Sequence, residues 1–275
     1  MNPRVTDFRR LHDAGCFVLP NPWDIGSARV LVGLGFKAVA TTSAGLAWSL
    51  GRRDNEISVE LSLSHLRTIA AAVDVPVNAD FEDGFARDPL GVAANVWAAV
   101  ETGIAGVSIE DSTGDQAAPL YDFTLAVERI KAARKAIDDS GTGVLLTGRS
   151  EGFISGRPDL AETIERLLAY AEAGADCLYA PGVRTMSDIS AIVSAVAPKP
   201  VNVLVSSGFT TVAQLAEAGV RRISVGGALA RAAWTGFLTA AKEIATAGTF
   251  TTFARNIPVP ETNKLFGAAR RHDQS

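Results

Sequence analysis

One short phrase recurs along the chain: a helical stretch stops at a glycine, and an apolar run begins about three residues later. It reads Gly35-Phe36-Lys37-Ala38-Val39, Gly103-Ile104-Ala105-Gly106-Val107, Gly174-Ala175-Asp176-Cys177-Leu178 and Gly219-Val220-Arg221-Arg222-Ile223. Glycine tolerates the left-handed conformation that ends a helix, so each phrase marks a tight helix-to-strand turn. Apolar runs at 17–19, 38–42, 77–79, 106–109, 144–147, 177–180, 201–205 and 222–225 read as eight strands. Helical patterns fill the gaps, at 27–34, 58–72, 89–102, 123–138, 160–173, 187–196 and 211–218, after a short first helix at 7–14. Ser58 is the expected N-cap of its helix. Short apolar strands bounded by Gly and Pro suit a parallel sheet buried on both faces. Strict alternation without an antiparallel hairpin predicts an α/β fold of the (β/α)₈ TIM-barrel type rather than an open sheet. No GxGxxG follows the first strand, which excludes a dinucleotide fingerprint there.

No Ser/Pro-rich linker interrupts the pattern, so one domain is expected. Residues 1–227 form the barrel core, and 228–275 form a C-terminal extension opening with a long Ala-rich helix. A chain of 275 residues, 47% hydrophobic, is a common size for one such barrel. Its net charge of −4 offers no basic field for nucleic acid. The first residues are charged throughout and lack the apolar core of a signal peptide, and no apolar window is long enough for a membrane span. The expectation is a cytoplasmic protein with Cys16 and Cys177 as reduced, packed thiols.

In such a barrel the reactive groups lie at the carboxyl ends of the strands. Strand two delivers Thr42, Ser43, Ala44 and Gly45; strand three Asp80, Glu82 and Asp83; strand four Glu110 and Asp111; strand five Arg149 and Glu151; strand seven Asn202 and Ser206. The amino ends carry nothing comparable. Asp80, Glu82 and Glu110 are the right chemistry for one hard divalent cation, Mg²⁺ or alternatively Mn²⁺. Arg149 and the hydroxyl and backbone N–H groups of Ser43-Ala44-Gly45 suit the oxygens of a small anionic substrate. Such a rim could bind a 2-oxo acid and stabilise an enolate. Two plainer readings stay open: the acidic stretch after Ala79 as a helix-capping turn, and Arg149 as a salt bridge to Glu151 or Asp80 with no ligand. His12, His65 and His272 fall on helices or the tail, so a histidine-based triad is not expected.

The motifs Asn21-Pro22-Trp23-Asp24, Thr42-Ser43-Ala44-Gly45, Leu50-Gly51-Arg52-Arg53-Asp54, Asp80 with Glu82, Ile109-Glu110-Asp111 and Gly148-Arg149-Ser150-Glu151 occur in one order and spacing. In these the chain resembles the isocitrate lyase/phosphoenolpyruvate mutase superfamily over nearly its whole length. The resemblance implies a barrel whose last helix is swapped onto a neighbouring subunit in a homodimer or homotetramer. It implies Mg²⁺ near Asp80, with Glu82, Asp54 and Glu110 acting directly or through water. It implies a substrate carboxylate at residues 42–45, beside Trp23 and Asn202, with Arg149, Glu110 and Asp54 as catalytic groups. Members make or break C–C or P–C bonds next to a 2-oxo acid or its enolate.

The departures narrow the reaction. Isocitrate and methylisocitrate lyases carry a catalytic cysteine in a Lys-Lys/Arg-Cys-Gly-His loop after the Ile-Glu-Asp motif. Here that loop reads Ser112-Thr113-Gly114-Asp115-Gln116-Ala117-Ala118-Pro119-Leu120. The Lys and Asn that the mutase and phosphonopyruvate hydrolase use there are also missing, as is the substrate-binding Glu after strand six, where Ala180-Pro181-Gly182 stands. The remaining expectation is a Mg²⁺-dependent lyase or decarboxylase of a small 2-oxo or 2-hydroxy diacid such as oxaloacetate. The alternatives are a protein that binds a diacid such as 2-oxoglutarate without turnover, or a P–C bond enzyme.

Overall fold

The computed structural model describes residues 2–267, so His272 and the end of the tail lie outside the described residues. In chain order the elements are α1 (Pro3–Asp13), β1 (Phe17–Leu19), α2 (Ile25–Gly33), β2 (Val39–Ala40), α3 (Ser43–Ser49), α4 (Val59–Ala72), β3 (Val77–Asp80), α5 (Pro89–Val100), β4 (Gly106–Glu110) and α6 (Phe123–Asp139). There follow β5 (Leu145–Arg149), α7 (Leu160–Glu172), β6 (Cys177–Tyr179), α8 (Met186–Val196), β7 (Val201–Leu204), α9 (Val212–Glu217), β8 (Arg222–Ser224), α10 (Ala228–Ala247), a 3₁₀ turn (Thr251–Arg255) and α11 (Val259–Gly267).

Helix starts are fixed by side-chain caps. Ser58, Asp88, Asp122, Asp159 and Thr185 each accept a hydrogen bond from a backbone N–H in the first turn. Asp24 with Ser27, and Thr211 with Gln214, form reciprocal capping boxes. The eight strands pair in parallel in the order β1-β8-β7-β6-β5-β4-β3-β2. The two ends of that order meet where Ala40 N donates to Pro20 O at 3.0 Å, which closes the sheet into a (β/α)₈ barrel. Asn21 pins the same seam: its Nδ2 donates to Thr41 O, and its Oδ1 accepts from Val225 N and Gly226 N.

Helix α1 plugs the amino end of the barrel. Phe8 is fully buried and stacks edge-on against His12, with ring centres 4.7 Å apart. A Cβ on Gly106 would lie 2.6 Å from the Phe8 ring, so close packing demands glycine there. With one end plugged and all strands parallel, the open end is the one formed by the strand carboxyl termini.

The structure adds two features that the sequence reading does not contain. Strand β2 stops at Ala40, and Thr42 becomes the N-cap of α3, its hydroxyl accepting from Gly45 N. The stretch expected only to offer a hydroxyl and backbone N–H groups is therefore a seven-residue helix. The tail after α10 folds back, and α11 packs on α2 with Phe266 against Gly26. Glu243 holds that return, accepting from Thr249 Oγ1 and from the backbone N–H groups of Thr251 and Thr252. Helix α10 itself buries little: Trp234, Phe237, Leu238 and Ile244 are exposed. No helix among the described residues is long and apolar enough to cross a membrane. Both cysteines are free, Cys177 buried and Cys16 half-buried.

Candidate active site

A cavity of about 370 Å³ occupies the open end of the barrel, lined by strand-end and strand-interior side chains. Arg149, the last residue of β5, is its centre. Nη1 lies 3.2 Å from Asp80 Oδ1 and 3.0 Å from Glu110 Oε2, and Nε pairs with Glu151 Oε1. Burial works against the guanidinium charge, but Glu110, Glu151, Tyr179 and Asp80 outweigh it and hold its pKa well above the ordinary value. Among the described residues, Nη2 makes no protein hydrogen bond and is not sealed from solvent, so it can donate to a ligand. The Tyr179 ring faces the same guanidinium at 5.2 Å.

The carboxylates around Arg149 outnumber it. Burial, with help from Asp80, Asp54 and Asp83, pushes Glu82 up to about 8. Burial also raises Glu110 well above its usual range; Arg149 opposes this, while Glu151, Asp80 and Glu82 add to it. Glu151 is raised by burial against the pull of Arg149. Asp54, exposed on the 50–58 loop, is raised by desolvation and then by Asp80. Glu82 adopts a left-handed backbone (φ 47°), and its buried Oε1 has no hydrogen-bond partner. A non-glycine residue held there is a strained position that the surrounding structure must enforce.

The other expected residues divide. Thr42, Ser43, Ala44, Asp54, Asp80, Glu110, Arg149 and Asn202 line the cavity. Ser43 is already engaged, because both its N–H (2.9 Å) and its hydroxyl (3.1 Å) donate to Asp80 Oδ2. In this arrangement it orients Asp80. Gly45 and Trp23 are absent from the cavity wall: a Cβ on Gly45 would lie 2.8 Å from Trp23 Cβ, so the pair packs beneath α3. Glu82 is also not part of the wall, although Asp80 and Asp54 both act on its carboxyl.

Two rim acids turn away from the cavity. Asp111 accepts from Tyr170 Oη (2.6 Å), Arg166 Nη1 (3.2 Å) and Glu151 N (2.8 Å) in the layer between barrel and helices. Asp83 accepts from Tyr121 Oη at 2.7 Å and lies 3.8 Å from buried Arg129. Sequence reasoning also missed part of the lining. Asn78 and Ser108 reach the cavity from strand interiors, Arg222 from the start of β8, and Tyr179 and Ser224 from the ends of β6 and β8. The available signal was the polar residue at alternate positions of an otherwise apolar strand.

A family model described as phosphoenolpyruvate phosphomutase matches residues 8–245. An uncharacterized protein of Mycobacterium tuberculosis is 33% identical over 221 residues, which is 80% of this chain and 81% of that one. The fold matches that of a Burkholderia cenocepacia J2315 protein described as a "putative lyase/mutase", with a TM-score of 0.93 and 45% identity over 97% of this chain and 96% of that one. It also matches oxaloacetate acetylhydrolase in complex with its product oxalate, with a TM-score of 0.84 and 26% identity over 96% and 93% of the two chains. With the rim carboxylates and Arg149 set at the mouth of a parallel barrel, these likenesses establish that the chain belongs to the phosphoenolpyruvate phosphomutase family, within the isocitrate lyase/phosphoenolpyruvate mutase superfamily.

Proposed function

We propose that the protein is a Mg²⁺-dependent carbon–carbon lyase or decarboxylase acting on a small 2-oxo or 2-hydroxy dicarboxylic acid. One observation carries the reading: Asp80, Glu110 and Glu151 all pair with Arg149, and Asp54 and Glu82 bear on the same carboxylates. That excess of buried negative charge is costly unless a cation completes it. The orphaned Oε1 of Glu82 and the all-oxygen donor set fit a hard divalent ion, Mg²⁺ or Mn²⁺. Among the described residues no three carboxylates are arranged to chelate a metal together. Mg²⁺ keeps several waters and takes one or two carboxylates directly, so it does not require three protein ligands. Asp80, fixed by Ser43, would be a direct ligand; Glu82, Asp54 and Glu110 would act directly or through water. When bound, the cation supplies an electron-withdrawing centre for a keto acid.

The chain's own groups complete the chemistry. Arg149 offers Nη2 to a substrate oxygen while Glu110 and Glu151 hold the guanidinium still. When a carboxyl group leaves as CO₂, the electron pair of the broken bond passes to the keto oxygen, and the enolate carbon then takes a proton. Burial pushes Tyr179 up to about 12, so it presents a protonated hydroxyl in the cavity near neutral pH. The similarity to oxaloacetate acetylhydrolase supports oxaloacetate as the first substrate to try. Incubation with oxaloacetate, with and without Mg²⁺, tests the reading. It is expected to give pyruvate above background only with metal and wild-type protein. Tight binding of diacids without any turnover would instead favour a sensor.

A further inference from the structure

A second arginine lies in the same cavity. Arg222, the first residue of β8, forms part of the floor and is 2% exposed. Its partners are uncharged. Nε donates to Asn202 Oδ1 at 3.0 Å, Nη2 donates to Thr147 Oγ1 at 3.0 Å, and Nη1 lies 3.4 Å from His12 Nε2. His12 Nδ1 sits 2.8 Å from Phe8 O, so the proton belongs on Nδ1 and Nε2 is the acceptor. Burial and then the Arg222 charge push His12 down to about 3, so the ring stays neutral. Cys177, below the same guanidinium, is fully buried and its thiol is raised by burial, so it supplies no thiolate. Among the described residues no carboxylate lies within ion-pair distance of Arg222.

The two arginines differ in this respect. Arg149 is matched by three carboxylates, whereas Arg222 is matched by none. Three neutral acceptors repay only part of the cost of taking a charge out of water. The floor around Arg222 is also polar and ordered. Asn202 bridges it to Ser224, with Nδ2 donating to Ser224 Oγ at 2.9 Å, and Ser224 lines the cavity.

We infer that Arg222 forms an anion subsite at the cavity floor, which takes the second carboxylate of the ligand and makes the site selective for diacids over monoacids. The inference rests on the proposed keto-acid reading. There, one end of the ligand meets the acidic rim and Arg149, and the far carboxylate reaches Arg222.

Calorimetry on the full chain in Mg²⁺ tests it, using two matched pairs: 2-oxoglutarate with 2-oxopentanoate, and malate with 2-hydroxybutanoate. In at least one pair the diacid binds about tenfold or more tighter. Arg222→Met abolishes that preference by weakening the diacid, leaves the monoacid within about twofold, and Arg222→Lys restores part of the preference. Equal binding of diacid and monoacid by wild type in both pairs overturns the subsite while leaving the keto-acid reading intact, and this comparison needs no variant. Equal weakening of both acids by Arg222→Met also overturns it, because that is what a purely structural arginine would do. Should Arg222→Met fail to fold, the wild-type ratio and Arg222→Lys decide. No binding by any of the four acids removes the keto-acid reading and the subsite together.

Discussion

Arg149 reaches over β4 from the end of β5 to Asp80 at the end of β3, its Nη1 donating to Asp80 Oδ1 at 3.2 Å. Three neighbouring strands are thereby tied at their carboxyl ends by one side chain, which also pairs with Glu110 on the strand between.

Arg149→Met strips the counter-charge from buried Glu110 and Glu151. Breaking such pairs from one side is expected to cost about 3 kcal/mol, read from urea unfolding at neutral pH. Metal-dependent keto-acid turnover should fall by more than about a hundredfold, because the positioned donor at the reacting oxygens is lost. A variant keeping both stability and turnover would show that the guanidinium is a bystander.

Tyr170→Phe separates scaffold from site. Tyr170 Oη donates to Asp111 Oδ2 at 2.6 Å in the layer outside the barrel, and both residues are buried. Losing this charge-assisted bond should cost about 1–2 kcal/mol in unfolding free energy. Turnover should stay within about twofold of wild type at temperatures where the variant is folded. A large kinetic defect with unchanged stability would mean that Asp111 belongs to the chemistry after all.

Strand parity explains which parts of the site were legible. Glycine-terminated helices and side-chain caps punctuate the chain, so the barrel could be read from Gly103, Gly174 and Gly219 and from Ser58. Strand ends then pointed to Asp80, Glu110 and Arg149. Asp111 was grouped with them, yet adjacent strand residues face opposite ways: with Glu110 inward, Asp111 must face the helices. The same alternation, run backward from Asp80, Glu110, Arg149 and Ser224, reaches Asn78, Ser108, Thr147 and Arg222. These residues lie two positions before the carboxyl ends, where the strand-end rule does not reach. Helix α3 has no counterpart in the sequence reading: it follows β2 with only Thr42 as its cap, and Ser43, Gly45 and Ser49 dilute its helix formers Ala44, Leu46 and Ala47.

Buried histidines work against stability in acid. Burial lowers His12 to about 3 and His65 to about 4, from an ordinary value of 6.5. Between pH 6.5 and about 4 the unfolded chain therefore binds protons at these two sites that the folded chain refuses, and their contribution to stability falls as pH falls. Glu82, Glu110 and Glu151, raised by burial, contribute in the opposite sense, so the histidine share is read by difference. Buried His12 would contribute up to about 1.4 kcal/mol per pH unit in that window, and partly exposed His65 less. Urea midpoints of wild type and His65→Leu at pH 7, 6 and 5 measure it. His65→Leu, which removes a buried Nε2 without a partner, should gain stability relative to wild type as pH falls, without lowering the pH 7 midpoint. The same difference between the two proteins at all three pH values would contradict the account.

The exposed face of α10 is proposed to pack on a second copy of the chain, as a helix exchanged between subunits. Trp234 and Phe237 stack edge-on, 5.6 Å apart, beside exposed Leu238. Light scattering should give a multiple of the 28.8 kDa chain mass. Phe237→Glu should shift the mass toward one chain. A monodisperse monomer for the wild type would remove the exchange.

The acidic rim is held to exist for a divalent cation that grips a keto acid, and Asp80 is its pivot. Calorimetric titration of Mg²⁺ in the presence of saturating oxalate, with wild type and Asp80→Ala, tests this directly. Wild type should take up one cation per chain, with oxalate and Mg²⁺ each tightening the other, and Asp80→Ala should weaken that uptake by at least about a hundredfold. Equal Mg²⁺ and oxalate affinity in wild type and Asp80→Ala would contradict the reading of this barrel mouth as a metal-dependent keto-acid site.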